Sequence, residues 1–220
     1  MKVNNYSNSN SILNQFISEL RNINIQQDRM RFRRNLERVG EVLAYELSKE
    51  LRFESRTINT PLGRKQMNLI DKEPVLCSIL RAGMPMHTGV LNYFDNAENT
   101  FISAYRKHKG KTGQDDDFEI IVEYVATPNI DGKTLIMVDP MLATGSSMIA
   151  VYKSLLKFGT PKEIHIVSVI GSQQGVDYIS EIFPKDTTLW IATVDEKMND
   201  RGYIVPGLGD AGDLAYGEKL

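Results

Sequence analysis

The chain has one cysteine, one tryptophan and three histidines in 220 residues. A lone cysteine, Cys77, closes no internal disulfide, which fits a reducing compartment and sets the expectation of a cytoplasmic protein. The histidines, at 87, 108 and 165, stand far apart in sequence and suggest no metal site. No apolar run approaches the ~20 residues of a membrane span. With a formal net charge of −2, the chain lacks the basic surplus of a broad nucleic-acid binder. Neither a membrane nor a nucleic acid is therefore expected as a partner. No Ser/His/Asp or Cys/His constellation offers a protein nucleophile. The first ten residues are polar and rich in Asn and Ser. They do not read as a secretory leader, and are expected to form a disordered tip.

What remains is an ordinary globular composition, 41% hydrophobic and 25% charged, in a chain long enough for one well-buried core. The first third reads helical. Ile12, Leu13, Phe16 and Leu20 share one face. Phe32, Leu36, Val39, Leu43, Leu47 and Leu51 continue that spacing in a longer helix. Arg31, Arg33, Arg34 and Arg38 lie near its polar side, as a solvated face or an oligomer contact. From Pro74 strands alternate with helices. Residues 74–80, 100–105, 134–138, 163–170 and 187–194 read as strands, and 84–94 and 174–182 as helices. Such alternation implies a mostly parallel sheet covered on both faces. Cys77 lies mid-strand and reads as core. One stretch breaks the pattern. Residues 106–132 read as a flexible loop, charged from Arg106 to Asp117, followed by an exposed β-arm at 118–125 and a turn at 128–132. A loop of that length is either disordered or a functional lid, and its place beside the chemical motifs favours the lid.

Three segments carry chemistry. The first is Asp139-Pro140-Met141-Leu142-Ala143-Thr144-Gly145-Ser146-Ser147. An apolar strand ends on a carboxylate, small and hydroxylated residues follow, and a helix begins. That arrangement presents backbone N–H groups to an anion. Thr144, Ser146 and Ser147 add hydroxyl donors, and Gly145 lets the backbone approach a phosphate closely. Asp139, at the strand's carboxyl end, suits sugar hydroxyls or a water on a metal ion. Met141 reads as packing rather than contact. The second segment is Gly202 to Asp213, with four glycines and a proline in twelve residues. It makes an irregular loop with exposed backbone, either a plain surface turn or an edge that a flat heterocycle could read. The third is the turn Leu80-Arg81-Ala82-Gly83. An arginine at a strand's end suits a diphosphate, whose oxygens its fork can take in pairs. A structural ion pair is the alternative there, and Arg106 carries the same two readings.

Together these strings resemble the uracil phosphoribosyltransferase family. Asp139–Ser147 and Gly202–Asp213 carry the resemblance, with the Leu80–Gly83 turn, Tyr105-Arg106, Asn59-Thr60-Pro61-Leu62 and Tyr45-Glu46-Leu47 in support. It covers the chain from about Leu20 onward. The resemblance implies one phosphoribosyltransferase domain over residues 1–220. Its parts would be a helical amino-terminal part, a mostly parallel sheet, a protruding β-arm or lid, and a carboxy-terminal hood over the base. It implies a reaction in which uracil and 5-phosphoribosyl 1-diphosphate give UMP and diphosphate, with Mg²⁺ held by the donor and water rather than by direct protein ligation, near Asp139 and Asp210. Arg81 and Arg106 would hold the diphosphate, Asp139 the ribose hydroxyls, and Ala143 to Ser147 the 5-phosphate. Ile204, Gly209 and Ala211 would meet the uracil edge through backbone groups, and Asp210 would reach the donor. A homodimer or homotetramer is implied. The alternative is a regulator on the same fold that binds a pyrimidine nucleotide without turnover.

Overall fold

In a computed structural model, residues 1–108 and 118–219 are described. The amino-terminal half runs β1 (Lys2–Asn5), α1 (Ile12–Arg21), α2 (Arg29–Ser48), β2 (Phe53–Thr60), β3 (Gly63–Ile70), β4 (Val75–Leu80), α3 (Gly83–Leu91) and β5 (Glu98–His108). There follow β6 (Phe118–Ala126), β7 (Thr134–Val138), β8 (Met141–Leu142), α4 (Ser146–Leu155), β9 (Glu163–Ser172) and α5 (Gln173–Ile182). The chain closes with β10 (Thr188–Asp195), β11 (Lys197–Met198), β12 (Ile204–Val205) and α6 (Ala211–Tyr216).

The main sheet has the order β1-β10-β9-β7-β4-β5-β6, with β8 beside β9. Its pairings are parallel apart from the antiparallel β5–β6 edge. Alternate residues of the central strands feed two cores. Leu76, Ile136, Val138, Val167 and Val169 face the core formed with α1, α2 and α3. Val75, Cys77, Leu135, Met137, Ile164 and Ile166 face the core formed with α4 and α5. Burial on both faces explains why these strands read as continuous apolar runs. Helices α2 and α3 cross at two glycines. A Cβ on Gly89 would stand 2.0 Å from the Glu37 carbonyl oxygen, and one on Gly40 2.4 Å from that of Met86. Only glycine permits backbones to approach so closely.

Three expectations are corrected. Residues 1–10 are not a disordered tip throughout, because Lys2–Asn5 extends the sheet beside β10. Backbone pairing with an edge, not apolar side chains, recruits this polar segment. Arg106 does not open a loop but belongs to β5, which runs on to His108 and pairs Arg106 with Ile120. Residues 118–125 accordingly form an edge strand of the main sheet, β6, rather than a free arm. The separate arm is β2–β3, an antiparallel hairpin registered from Phe53↔Ile70 to Thr60↔Gly63. Its side chains are mostly exposed. The segment expected to form the lid lies largely outside the described residues.

Candidate active site

A cleft of about 980 Å³ opens at the carboxyl ends of the parallel strands. Open α/β sheets place ligands there because the loops that follow the strands converge. β4 delivers Arg81, β5 delivers Ser103 and Tyr105, and β7 delivers Asp139. The loop after β7 adds Met141, Ala143, Thr144 and Ser147, and the carboxy-terminal loops add Tyr203, Asp210 and Ala211.

The loop after β7 is shaped locally. Asp139 Oδ1 accepts the Met141 N–H at 3.2 Å. Thr144 Oγ1 accepts the Ser146 N–H at 3.3 Å and donates to Ser146 Oγ at 3.1 Å. From the side, Ser172 Oγ donates to the Ala143 carbonyl at 2.6 Å. Gly145 turns into α4 with φ of 78°, and no side chain caps that helix. Apart from the Ser146 N–H, which Thr144 Oγ1 takes, the orphan N–H groups of its first turn therefore remain for a ligand, backed by the helix dipole. Gly145 itself meets α5, not the cleft. A Cβ there would lie 2.7 Å from Ile179 Cγ2 and 3.1 Å from the Gly175 carbonyl oxygen. Its small size thus serves packing against α5, while its backbone turns into the amino end of α4. Pro140, Leu142 and Ser146 also stay off the cleft wall. The Pro140 carbonyl accepts from Val169 and Ile170, and Leu142 is buried in the core.

Asp139 is half-buried on the floor of the cleft. Burial pushes its carboxyl up to about 7, against the smaller downward pull of the Met141 N–H. A carboxyl poised near neutrality responds strongly to ligand hydroxyls or cations. Arg81 bridges the two walls of the cleft. Its Nη2 pairs with Asp213 Oδ1 at 2.9 Å, and its Nη1 donates to the Gly217 carbonyl at 3.3 Å. The pair is partly exposed, so its exchange for another anion costs little. Arg106 lies on β5, and its side chain is outside the described residues.

The second wall is the carboxy-terminal loop. β11 and β12 pair across a turn organised by Asn199, whose Oδ1 accepts from Arg201 and Tyr203 at 3.1 and 3.0 Å. Gly207 and Gly209 have φ of 61° and 92°. Asp210 caps α6 by accepting the Asp213 N–H at 3.0 Å, with Lys219 3.7 Å from its other oxygen. Asp210 and Ala211 line the cleft, whereas Ile204, which is buried, and Gly209, which is exposed, are not part of its lining. The sequence reading missed Asn199, Asp200, Arg201 and Lys219, which also line it. The polar turn Asn199–Arg201 directly precedes the glycine-rich string, and that adjacency was the available signal.

A parallel sheet with an uncapped phosphate-type loop, a carboxylate at a strand end and a glycine-rich hood defines a phosphoribosyltransferase. The family model described as uracil phosphoribosyltransferase matches residues 7–218, and the chain belongs to that family. It is similar to the uracil phosphoribosyltransferase of Porphyromonas gingivalis, at 56% identity over 220 residues and all of both chains. It is also similar to that of Methanococcus vannielii, at 40% identity over 208 residues, 93% of this chain and 85% of the relative. The solved structure of AQ2163 protein from Aquifex aeolicus shares the fold at a TM-score of 0.86 and 30% identity, covering 99% of this chain and 100% of that one.

Proposed function

We propose that this chain transfers the phosphoribosyl group from 5-phosphoribosyl 1-diphosphate to uracil, giving UMP and diphosphate. The observation that carries this reading is one cleft joining the open amino end of α4, Asp139, Arg81 and the glycine-rich hood. The 5-phosphate sits on Ala143 to Ser147, where Thr144 and Ser147 face the cleft. Asp139 accepts from the ribose hydroxyls, which favours its ionised form. Arg81 exchanges Asp213 for the diphosphate, with Arg106 as its partner in that role. The uracil edge lies against backbone from Ile204 to Ala211, with Ala211 nearest and Asp210 toward the donor.

Displacement at the anomeric carbon needs no protein nucleophile, because the sugar ring supplies the electrons. The loops hold donor and base in line, and the guanidinium stabilises the charge of the leaving group. Asp139 and Asp210, two of the three carboxylates that line the cleft with Asp200, are hard oxygen donors and fit a hydrated Mg²⁺ carried in by the donor. When bound, that ion offsets negative charge on the diphosphate. We read residues 1–220 as a single such domain, acting in the cytoplasm as a homodimer or homotetramer. Among the described residues, no helix is long and apolar enough to cross a membrane.

Turnover with a panel of bases tests the reading. Uracil and 5-fluorouracil should react. Cytosine reverses the donor and acceptor at two edge positions, and fixed peptide groups cannot swap roles as a side-chain amide can. It should be rejected by about 10⁴-fold in kcat/KM. Tight pyrimidine-nucleotide binding without turnover of any base would replace the enzyme with the regulator.

A further inference from the structure

Behind the hood, three side chains that do not line the cleft grip its backbone. Arg21, in the last turn of α1, donates from Nη1 to Asp195 Oδ2 and from Nη2 to Asp195 Oδ1, both at 2.7 Å. Nη1 also donates to the Gly207 carbonyl oxygen at 3.0 Å, and Nη2 to Thr193 Oγ1 at 3.2 Å. The Gly207 N–H donates to Asp195 Oδ2 at 2.9 Å. Gln26, buried just past α1, donates from Nε2 to the carbonyls of Leu20 and Leu208 at 2.9 and 3.2 Å. Both polar groups of Gly207 and the carbonyl of Leu208 are thus held from the side away from the cleft. Asp210 and Ala211, on the cleft wall, follow within four residues of Gly207.

We propose that Arg21, Asp195 and Gln26 are positioning residues for base recognition. They fix the Gly207–Leu208 peptides, and through them the backbone edge that reads the base, without touching it. The inference rests on the uracil reading proposed above. A backbone edge discriminates only if its tilt is fixed, because its donors and acceptors move together. A guanidinium fork across both carboxylate oxygens sets an orientation, where an ammonium would supply only attraction. A second ion pair near α1 offers a comparison. Arg31 pairs with Glu19 at 2.8 Å, and Asn35 donates to Glu19 at 2.8 Å, and their hydrogen bonds run to one another and to α1 and α2 rather than to the Gly207–Leu208 peptides.

The test is steady-state kinetics of Arg21→Lys, Asp195→Asn, Gln26→Met and the comparison variant Arg31→Met, each checked for cooperative melting. Wild-type turnover of uracil comes first, and its absence would sink the uracil reading itself. In folded Arg21→Lys and Asp195→Asn, the KM for uracil should rise about tenfold, the loss expected for a charge-assisted hydrogen bond. The preference for uracil over cytosine should narrow with it, while the KM for the ribosyl donor stays at its wild-type value. Gln26→Met should show the same split more weakly. Arg31→Met should melt earlier and keep both KM values. An unchanged uracil KM in the folded variants overturns the proposal. So does an equal rise in both KM values. If neither Arg21→Lys nor Asp195→Asn folds, the pair is a folding element and the positioning role falls.

Discussion

The loop Asp139–Ser147 takes its shape mainly from close neighbours, Asp139 on Met141 and Thr144 on Ser146, with Ser172 reaching Ala143 across 29 residues. The facing loop, Gly202–Asp213, is held largely from far along the chain. Arg21 and Gln26 reach Gly207 and Leu208 across 186 and 182 residues. A phosphate is nearly symmetric and asks for a cluster of donors, which one turn into a helix supplies. A planar base asks for an oriented edge, and a glycine-rich loop has no stiffness of its own to provide one. The contrast predicts that damage to the first wall stays local, while the second can be disturbed from outside the cleft.

The largest effect should come from Ser147→Asp. A carboxylate in the first turn of α4 suits the helix dipole, so the melting temperature should hold or rise. The same charge faces the place of the 5-phosphate, and donor affinity should fall by about 10³-fold, the scale of a close like-charge contact in a confined site. Calorimetric titration with the donor measures it. Amide exchange across residues 202–213 should be unchanged. Donor affinity near wild type would remove the phosphate from this wall.

Asp139→Asn should lower kcat by about 10²-fold, the scale for losing one preorganised polar contact. Stability should move the other way. The folded carboxyl titrates near about 7, above the ordinary 3.8. The folded state therefore binds this proton more tightly than the unfolded one, and ionisation opposes folding. Stability is lost as pH rises from about 4 to about 7, and the cost persists above that window. Asparagine removes it. The variant should gain about 1–2 kcal/mol at pH 8 and nothing at pH 4, the gain reduced because the cleft admits water. Denaturant melts at the two pH values decide the matter, and an equal shift at both would show that burial does not govern Asp139.

The two walls also differed in how far sequence exposed them. The strand Thr134–Val138, its terminal carboxylate and the small residues after it were legible because the whole device is local. The glycine-rich string was legible as a loop, but its supports were not. Arg21 and Gln26 sit in a helix end and a turn where charged and amide residues are routine, and only the fold brings them to Gly207. Hairpin β2–β3 was missed because it meets the core only at its base, through Ile70, so its strands show no apolar alternation. Strand β1 was missed because an edge recruits backbone whatever the side chains.

Gly145→Ala sharpens the comparison on the first wall. A left-handed φ and contact with Ile179 and the Gly175 carbonyl should together cost about 2–3 kcal/mol of stability. If the loop is as local as its hydrogen bonds indicate, the folded fraction should still bind donor within a few-fold of wild type. Thermal melts and titration below the transition check both halves. A variant of normal stability that fails to bind donor would return Gly145 to the phosphate.

The smallest effect should come from Asp213→Asn, which loosens the contact between the walls. Arg81 is tied to Asp213 at 2.9 Å, with the two side chains 41% and 29% exposed. An ion pair so open to water is worth little, and its loss should cost no more than about 0.5 kcal/mol. α6 should persist, because its cap is Asp210 accepting the Asp213 N–H, a backbone contact that the substitution leaves in place. The informative change is in the donor. If Arg81 must leave Asp213 to meet the diphosphate, removing its competitor should lower the donor KM two- to threefold, the kinetic image of that same ~0.5 kcal/mol. The uracil KM should not move, because Gly207 and Leu208 remain gripped from behind. A donor KM that rises instead would mean that the ion pair holds Arg81 in its working position. Arg81 would then be part of the hood's scaffold, and leaving-group stabilisation would fall to β5 and Arg106.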